Sequence, residues 1–244
     1  MTTVREDSPN SRFYALIPCA GQGSRAATLT AKQYHPVAGQ ALVLHTLAAF
    51  AAVARIDKTL VVVAPGDSFF DRTASRLSFE VADCGGASRA DSVFNGLQAL
   101  RLAGAQDDDW VLVHDAARCL ISAAQIDRLI DACAGDPVGG LLALKLPDTL
   151  KREVDGRVAA TVDRADKWLA QTPQMFRLGA LAEALQGAGD GTTDESSAIE
   201  AMGLQPKLVA GSAENFKVTY AEDFLLAEAI LLGRKNRLNK KSAI

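Results

Sequence analysis

The stretch from Cys19 to Lys32 reads CAGQGSRAATLTAK and follows directly on the apolar run Phe13 to Ile17. A strand, two glycines spaced G-x-G and then a helix bring bare backbone N–H groups to a place where an anion can approach, because glycine has no Cβ to hold it off. A tight turn that binds nothing has the same outline, so the flanking residues must decide. Read as Gly21-x-Gly23-x-x-Ala26, the stretch meets a dinucleotide fingerprint, which requires an acid about 20 residues later for the ribose hydroxyls. No Asp or Glu stands between Gly21 and Asp57, and no G-x-x-x-x-G-K-[ST] string of an ATPase loop occurs anywhere. What remains uses the cations. Arg25 and Lys32 flank the turn, and with the backbone donors they could surround a triphosphate and stabilise charge on a phosphorus under attack. Taken singly, each is an ordinary surface cation.

Further constellations lie downstream. The apolar Trp110 to Val113 ends in His114-Asp115-Ala116-Ala117-Arg118, an acid and a base at the carboxyl end of a predicted central strand, where open α/β sheets bind ligands. A structural reading competes: Asp115 as a helix N-cap with Arg118 as its ion partner, and His114 as a satisfied core histidine. GGASRADSV, Gly85 to Val93, is a second glycine turn entering a helix. Its Ser88 and Asp91 have capping-box spacing, while the glycines could admit a flat nucleobase and Ser92 offers a hydroxyl. Thr161-Val162-Asp163-Arg164, Thr172-Pro173-Gln174 in an expected loop, Thr192 to Glu195 at a helix start, and Lys217 in a strand-like segment complete the set. Thr192 and Glu195 also have capping-box spacing. Physical chemistry alone does not join these positions into one site.

The elements that must hold these residues alternate. Phe13 to Ile17, Thr59 to Ala64, Phe79 to Ala82, Trp110 to Val113 and Val138 to Leu144 are short apolar runs, and stretches with helical spacing lie between them (Val43, Leu47, Phe50; Val93, Leu97, Leu100). The pattern implies βαβ units and a mostly parallel sheet covered on both faces. After Pro147 it changes: LKREVDGRVAATV alternates around Asp155-Gly156, a strong two-residue hairpin signal, read as a projecting arm. Helices are expected at Leu178 to Leu185, Ser196 to Met202 and Ala221 to Leu232, with a short strand at Lys207 to Ala210. Residues 1–12 read as a disordered tail, 13–233 as one domain with the arm inserted at about 147–163, and 234–244 as a frayed basic tail.

Composition sets bounds. The chain has 244 residues, 48% of them hydrophobic and 23% charged, and a net charge of −3, which gives no global reason to expect nucleic acid or a membrane as partner. The polar N-terminus lacks a signal-like apolar stretch and no run of membrane-spanning length occurs, so the expected location is the cytoplasm. Cys19, Cys84, Cys119 and Cys133 show no metal-ligand spacing and read as reduced thiols.

In order along the chain, AGQGSR with KQY, GGASRADSV, VHDAAR, the Asp148-Thr149 pair, TVDR, TPQ, TDE and NFKVT together resemble the 2-C-methyl-D-erythritol 4-phosphate cytidylyltransferase family from Ala15 to about Leu232. The resemblance implies transfer of CMP from CTP to a methylerythritol phosphate, and a Rossmann-like α/β fold whose β-hairpin arm exchanges across a homodimer. It assigns Ala20, Gly21, Gly23, Arg25 and Lys32 to the CTP phosphates, with Arg25 and Lys32 as transition-state stabilisers, and Gly86 and Ser92 to the cytidine. Asp115, Arg118, Thr149, Arg164, Thr172, Thr193 and Lys217 would line the methylerythritol phosphate site, some from the partner's arm, with Arg164 and Lys217 orienting the attacking phosphate. A divalent ion, Mg²⁺, would accompany the triphosphate; whether Asp115 meets that ion or substrate hydroxyls stays open. A cytidylyltransferase for another polyol phosphate, such as ribitol 5-phosphate, shares the nucleotide motifs and is the nearest alternative. A silent nucleotide-binding protein and an NAD-dependent oxidoreductase are more distant ones. The chain departs from the family pattern at Cys19 (alanine is frequent), Ala31 (proline is usual before KQY) and Cys119 (proline is frequent). Of these, Ala31 is expected to loosen the loop carrying Lys32.

Overall fold

The apolar run after Arg12 forms β1 (Phe13–Pro18), and its two faces explain both layers of the protein. In the computed structural model, which describes residues 11–21, 31–73, 75–187 and 192–241, successive β1 side chains point to opposite sides, as the pleat requires. Ala15 and Ile17 pack with Val43, Leu47 and Phe50 of α1 (Leu42–Ala51) and with Ile126, Leu129 and Ile130 of α3 (Ala123–Cys133). Tyr14 and Leu16 pack with Val93, Leu97 and Leu100 of α2 (Arg89–Leu102) and with Leu181 of α4 (Leu178–Gly187) and Ile199 of α5 (Glu195–Ala201). A strand buried on both faces gains from apolar residues at every position, which is why Tyr14 to Ile17 reads as a continuous run.

The remaining strands are β2 (Pro36–Val37), β3 (Gln40–Ala41), β4 (Lys58–Val62), β5 (Glu80–Ala82), β6 (Trp110–Val113), β7 (Gly139–Lys145), β8 (Leu150–Val154), β9 (Arg157–Val162), β10 (Trp168–Arg177) and β11 (Lys207–Ala210). Seven of them make one sheet in the order β11-β7-β10-β6-β1-β4-β5. Pairings among β6, β1, β4 and β5 are parallel, as is β11 with β7, and β10 runs antiparallel to both β6 and β7. The chain builds outward from β1 through β4 to β5, then returns to lay β6 on the other side of β1. That reversal opens a crevice at the carboxyl ends of β1 and β6, where the Cys19 turn and the His114-Asp115 pair emerge.

The expected α/β fold with helices on both faces is therefore present, and so is the hairpin. Asp155 and Gly156 both take positive φ (51° and 74°), the pair of left-handed residues a tight hairpin turn demands, and β8 and β9 pair only with each other, outside the main sheet. Most side chains along them are exposed.

Four local expectations are corrected. Thr172 to Gln174 is no loop but the interior of β10, where the register shifts between Ala170 and Gln174; Pro173 has no N–H to give the ladder, so the strand carries an irregularity there. Lys217 lies in no strand, and the Val218 N–H instead donates to Ala117 O at 2.9 Å. The helix after β6 begins only at Ala123, capped by Ser122 and Gln125, so Asp115 caps nothing. The final helix, α6 (Ala221–Lys241), runs well past Leu232.

Candidate active site

At the carboxyl ends of β1 and β6 lies a cleft of about 470 Å³ with three walls. The first is the glycine turn. Ala20 and Gly21 line it, and no protein atom lies within 4 Å of where a Gly21 Cβ would sit, so that side is open to a ligand. Buried Gln33 shapes this wall: its Nε2 donates to Cys19 O and to Gly21 O, both at 2.8 Å. Holding the Cys19 carbonyl on the protein side turns the N–H of the next residue, Ala20, the opposite way, because the peptide is planar and trans. Gly23 and Arg25, assigned to the phosphates by sequence, lie outside the described residues.

Lys32 opens a short 3-10 turn, Lys32–Tyr34, and its Nζ donates to Val218 O at 2.9 Å, fixing the ammonium at the cleft. Ala31 before it has φ −53° and ψ 128°, within the φ range that proline imposes. Alanine here therefore takes the backbone conformation that a proline would have imposed. Tyr34 donates to Asp67 Oδ2 at 2.6 Å and stacks on Phe69 at 3.9 Å, which anchors the far end of the turn. Cys19 is buried beside it with its thiol pushed up to about 12 by burial, and Cys119 is likewise buried and raised to about 12. Both stay protonated at neutral pH and are unsuited to nucleophilic chemistry.

The second wall is the turn from Gly85 into α2. A Cβ on Gly85 would collide with the Ala20 Cβ and Val63 O, and one on Gly86 with the Asp91 Cβ, so the protein's own packing requires both glycines. Ser88 and Asp91 form the expected capping box. The Ser92 hydroxyl accepts from Gly86 N at 3.0 Å and donates to Ser88 O at 2.9 Å. It lines the cleft, but its first role is to pin the turn.

The third wall carries the charge. Asp115 Oδ2 lies 2.8 Å from Lys217 Nζ and 3.8 Å from Arg118 Nε, and Oδ1 accepts from Arg89 Nε at 2.8 Å. Burial pushes the Asp115 carboxyl up, but Arg89, Lys217 and Arg118 outweigh that and hold it well below the usual carboxylate range. Arg118 is tied back by Asn215 O at 2.7 Å. Behind Asp115 runs a directional chain: its N–H donates to Thr172 Oγ1 (3.0 Å), which sits 3.0 Å from His114 Nδ1, while His114 Nε2 lies 3.2 Å from Arg118 O. A carbonyl only accepts, so Nε2 carries the proton and Nδ1 accepts from the threonine hydroxyl. Burial pushes the His114 pKa down to about 3. His114 is therefore a neutral structural part, and Thr172, expected to line the substrate site, stands behind it with its hydroxyl engaged.

Other expected residues are not brought together with the cleft in this chain. Thr149 sits beside β8 at the base of the arm, Arg164 donates to Pro147 O near the same base, and Thr193 donates its N–H to Ser197 Oγ at 3.1 Å; none of the three lines the cleft. The helix there is capped by Asp194 and Ser197 rather than by Thr192 and Glu195. Sequence reasoning missed Arg89 and took Glu195 for a helix cap. Arg89 lines the cleft and joins the two acids, donating from Nη1 to Glu195 Oε1 at 2.6 Å and from Nη2 to Oε2 at 3.1 Å. The available signal was an arginine inside GGASRADSV, which helix capping did not need.

For Mg²⁺ the donor set does not fit a resident site. Among the described residues no three His, Cys, Asp or Glu side chains cluster to hold an ion, and both oxygens of Asp115, the one acid lining the cleft, are taken by cations.

A family model described as "IspD: 2-C-methyl-D-erythritol 4-phosphate cytidylyltransferase" matches residues 13–233. The chain belongs to the 2-C-methyl-D-erythritol 4-phosphate cytidylyltransferase family. It is accordingly an enzyme of the nucleotidyltransferase class. A cytidylyltransferase of that name from Paraburkholderia phytofirmans is 57% identical over 229 residues, covering 91% of this chain and 96% of the relative. A "Bifunctional enzyme IspD/IspF" from Albidiferax ferrireducens is 66% identical over 234 residues, covering 96% of this chain, which spans only 56% of that longer protein. A crystal structure titled 4-diphosphocytidyl-2C-methyl-D-erythritol synthase superposes with a TM-score of 0.82 at 38% identity, covering 92% of this chain and 100% of the other. The Francisella tularensis family member superposes at 0.75 with 33% identity, covering 89% and 98%. These matches favour the methylerythritol phosphate family over the ribitol phosphate alternative. No helix among the described residues is long and apolar enough to cross a membrane.

Proposed function

We propose that the cleft carries out its family's reaction, transfer of CMP from CTP to 2-C-methyl-D-erythritol 4-phosphate, giving 4-diphosphocytidyl-2-C-methyl-D-erythritol and pyrophosphate. The observation that carries this is the convergence of two cations from distant sequence: Lys32 Nζ donates to Val218 O, 186 residues on, beside Lys217, whose own ammonium meets Asp115 in the same cleft. In the reaction a phosphate oxygen of the polyol phosphate attacks the α-phosphorus of CTP in line, a new P–O bond forms, and the bond to the β-phosphate oxygen breaks as pyrophosphate leaves. The nucleophile is already an anion, so no strong base is needed, and positioning with charge neutralisation supplies the rate. This agrees with a cleft whose carboxylate is held ionised by cations and backed by a buried neutral histidine.

Each group has a task in this reading. Backbone N–H groups at Ala20 and Gly21, with Gly23, cradle the triphosphate, and Arg25 and Lys32 stabilise charge at the α-phosphorus. Gly86 and Ser92 shape the floor for the cytidine. Lys217 and Arg164 orient the attacking phosphate, and Asp115, Arg118, Thr149, Thr172 and Thr193 set the polyol pocket, Arg118 and Thr172 by holding Asp115. Mg²⁺ would come with the nucleotide, as the magnesium salt of CTP, since the described residues offer it no cage.

The base of the arm carries Thr149 and Arg164 away from this chain's own cleft, and Val154, Val158, Trp168 and Leu169 are exposed large apolar side chains along the arm and β10. We read these as the contact surface of a homodimer in which the arm of one protomer completes the site of the other. Four unpaired cysteines agree with a reducing cytoplasmic setting. Pyrophosphate release from each of CTP, ATP, GTP and UTP with methylerythritol phosphate or ribitol 5-phosphate tests the reading. Turnover is expected for CTP with methylerythritol phosphate. Faster turnover with ribitol 5-phosphate, or CTP binding with no turnover, would overturn it.

A further inference from the structure

Glu195 is the most deeply buried acid among the described residues, 1% exposed, and the helix cap, made by Asp194 and Ser197, does not use it. A carboxylate taken out of water is costly unless its charge and both oxygens are met. Here Arg89 meets both, Nη1 to Oε1 at 2.6 Å and Nη2 to Oε2 at 3.1 Å. The guanidinium is planar with its donors in a fixed fork, so gripping both Nη nitrogens also aims the third nitrogen. That nitrogen, Nε, lands on Asp115 Oδ1 at 2.8 Å. With Oδ1 held, Oδ2 is presented to Lys217 Nζ at 2.8 Å. One unbroken line of charge-assisted contacts runs from the first residue of α5, through the first residue of α2, to the end of β6 and the segment bearing Lys217. Arg89, Asp115 and Lys217 line the cleft; Glu195 does not.

We propose that Glu195 is a positioning residue for the transfer: through Arg89 it sets the orientation of the Asp115 carboxylate and hence the place of the Lys217 ammonium. This rests on the proposed reading of the cleft. The relay therefore serves the polyol phosphate half of the site and leaves the nucleotide half, built on Gln33 and Lys32, untouched.

The test is steady-state kinetics on Glu195→Gln, which keeps the side-chain shape and removes the charge. The expected result is a KM for methylerythritol phosphate raised and a kcat lowered, each by roughly 10- to 100-fold as a displaced orienting group produces, with the KM for CTP within about twofold of wild type. Arg89→Lys keeps the charge but cannot grip one acid and aim at another, and it should reproduce the same split. The double variant should be no worse than either single one, because both break one line. Glu195→Asp retains a carboxylate, so it should recover part of the lost kcat, and it serves with the double variant if Glu195→Gln folds poorly. Equal rises in both KM values, additive losses, or a Glu195→Gln enzyme with wild-type constants overturn the proposal. Absence of any CTP turnover by the wild-type protein overturns instead the reading of the cleft, and the relay's role with it.

Discussion

Taking the protein from pH 7 to pH 5 should remove about 2 kcal/mol of stability through a single side chain, His114. Its ring is fully buried, and burial pushes its pKa down to about 3. Protonation would put a second ring donor against the Thr172 hydroxyl, which already accepts from Asp115 N. The unfolded chain has no such constraint and takes up the proton near pH 6.5. A folded pKa lying below the unfolded one means full stability above about pH 6.5 and a loss as pH falls toward the folded pKa of about 3. Between pH 7 and 5 the size of the loss depends only on the unfolded value, because the folded ring stays neutral throughout. The ratio of unfolded-state binding terms at the two pH values is roughly 25-fold, which is about 2 kcal/mol. For a chain of this size that corresponds to a fall in Tm of about 4–8 °C. Other groups titrate in the same window, among them His45, whose pKa burial also lowers, so the comparison must be differential. His114→Gln cannot titrate; it will be less stable at every pH, but its urea-unfolding free energy should fall by about 2 kcal/mol less than that of wild type between pH 7 and 5. If wild type and variant lose stability in parallel, the assignment of a neutral, trapped histidine is wrong.

Other outcomes follow from the same geometry. Lys32→Ala and Arg25→Ala should each lower kcat by about 100-fold or more, the loss seen when a donor to developing charge is removed, with little change in Tm; near-wild-type turnover in both would refute the phosphate assignment. Gln33→Glu replaces a buried amide that donates to Cys19 O and Gly21 O with an acceptor facing two acceptors, so the KM for CTP should rise by about tenfold or more and the KM for the polyol phosphate should not follow. Inactive Arg164→Ala and Lys217→Ala chains, unfolded and refolded together, should regain roughly a quarter of wild-type sites if a symmetric dimer shares its arms; no recovery would place Arg164 and Lys217 in the same protomer's site.

Much of the fold was legible because its strands are buried on both faces and interrupted by glycine turns. Tyr14 to Ile17 and Trp110 to Val113 had no other reading, and Asp155-Gly156 announced its hairpin through residues that tolerate positive φ. Strand β10 was not legible, because Pro173 sits at its irregularity and local propensity argued for a loop; only pairing to β6 and β7 on both sides makes it a strand. The site shows the same division. Lys32 was found as a cation beside a glycine turn and Asp115 as an acid at the end of an apolar strand, while Lys217 came only from the family resemblance. Thr172 was found, but a hydroxyl gives no sign from sequence of whether it faces substrate or, as its contact with His114 shows, a histidine behind the site. Arg89 was missed and Glu195 taken for a helix cap, since their pairing joins positions 106 residues apart and leaves no periodic trace. Ala31, expected to loosen the loop before KQY, sits at φ −53°, which proline would lock and alanine can leave.

The central claim is that one cleft holds both substrates, with Lys217 serving the attacking phosphate and Lys32 the nucleotide. Lys217→Ala tests it most directly, through calorimetric titration with magnesium CTP alongside single-turnover pyrophosphate release with methylerythritol phosphate. The account predicts a Kd for CTP within about twofold of wild type and a transfer rate lower by about 100-fold or more. A transfer rate within about tenfold of wild type, or loss of CTP binding together with turnover, would contradict it.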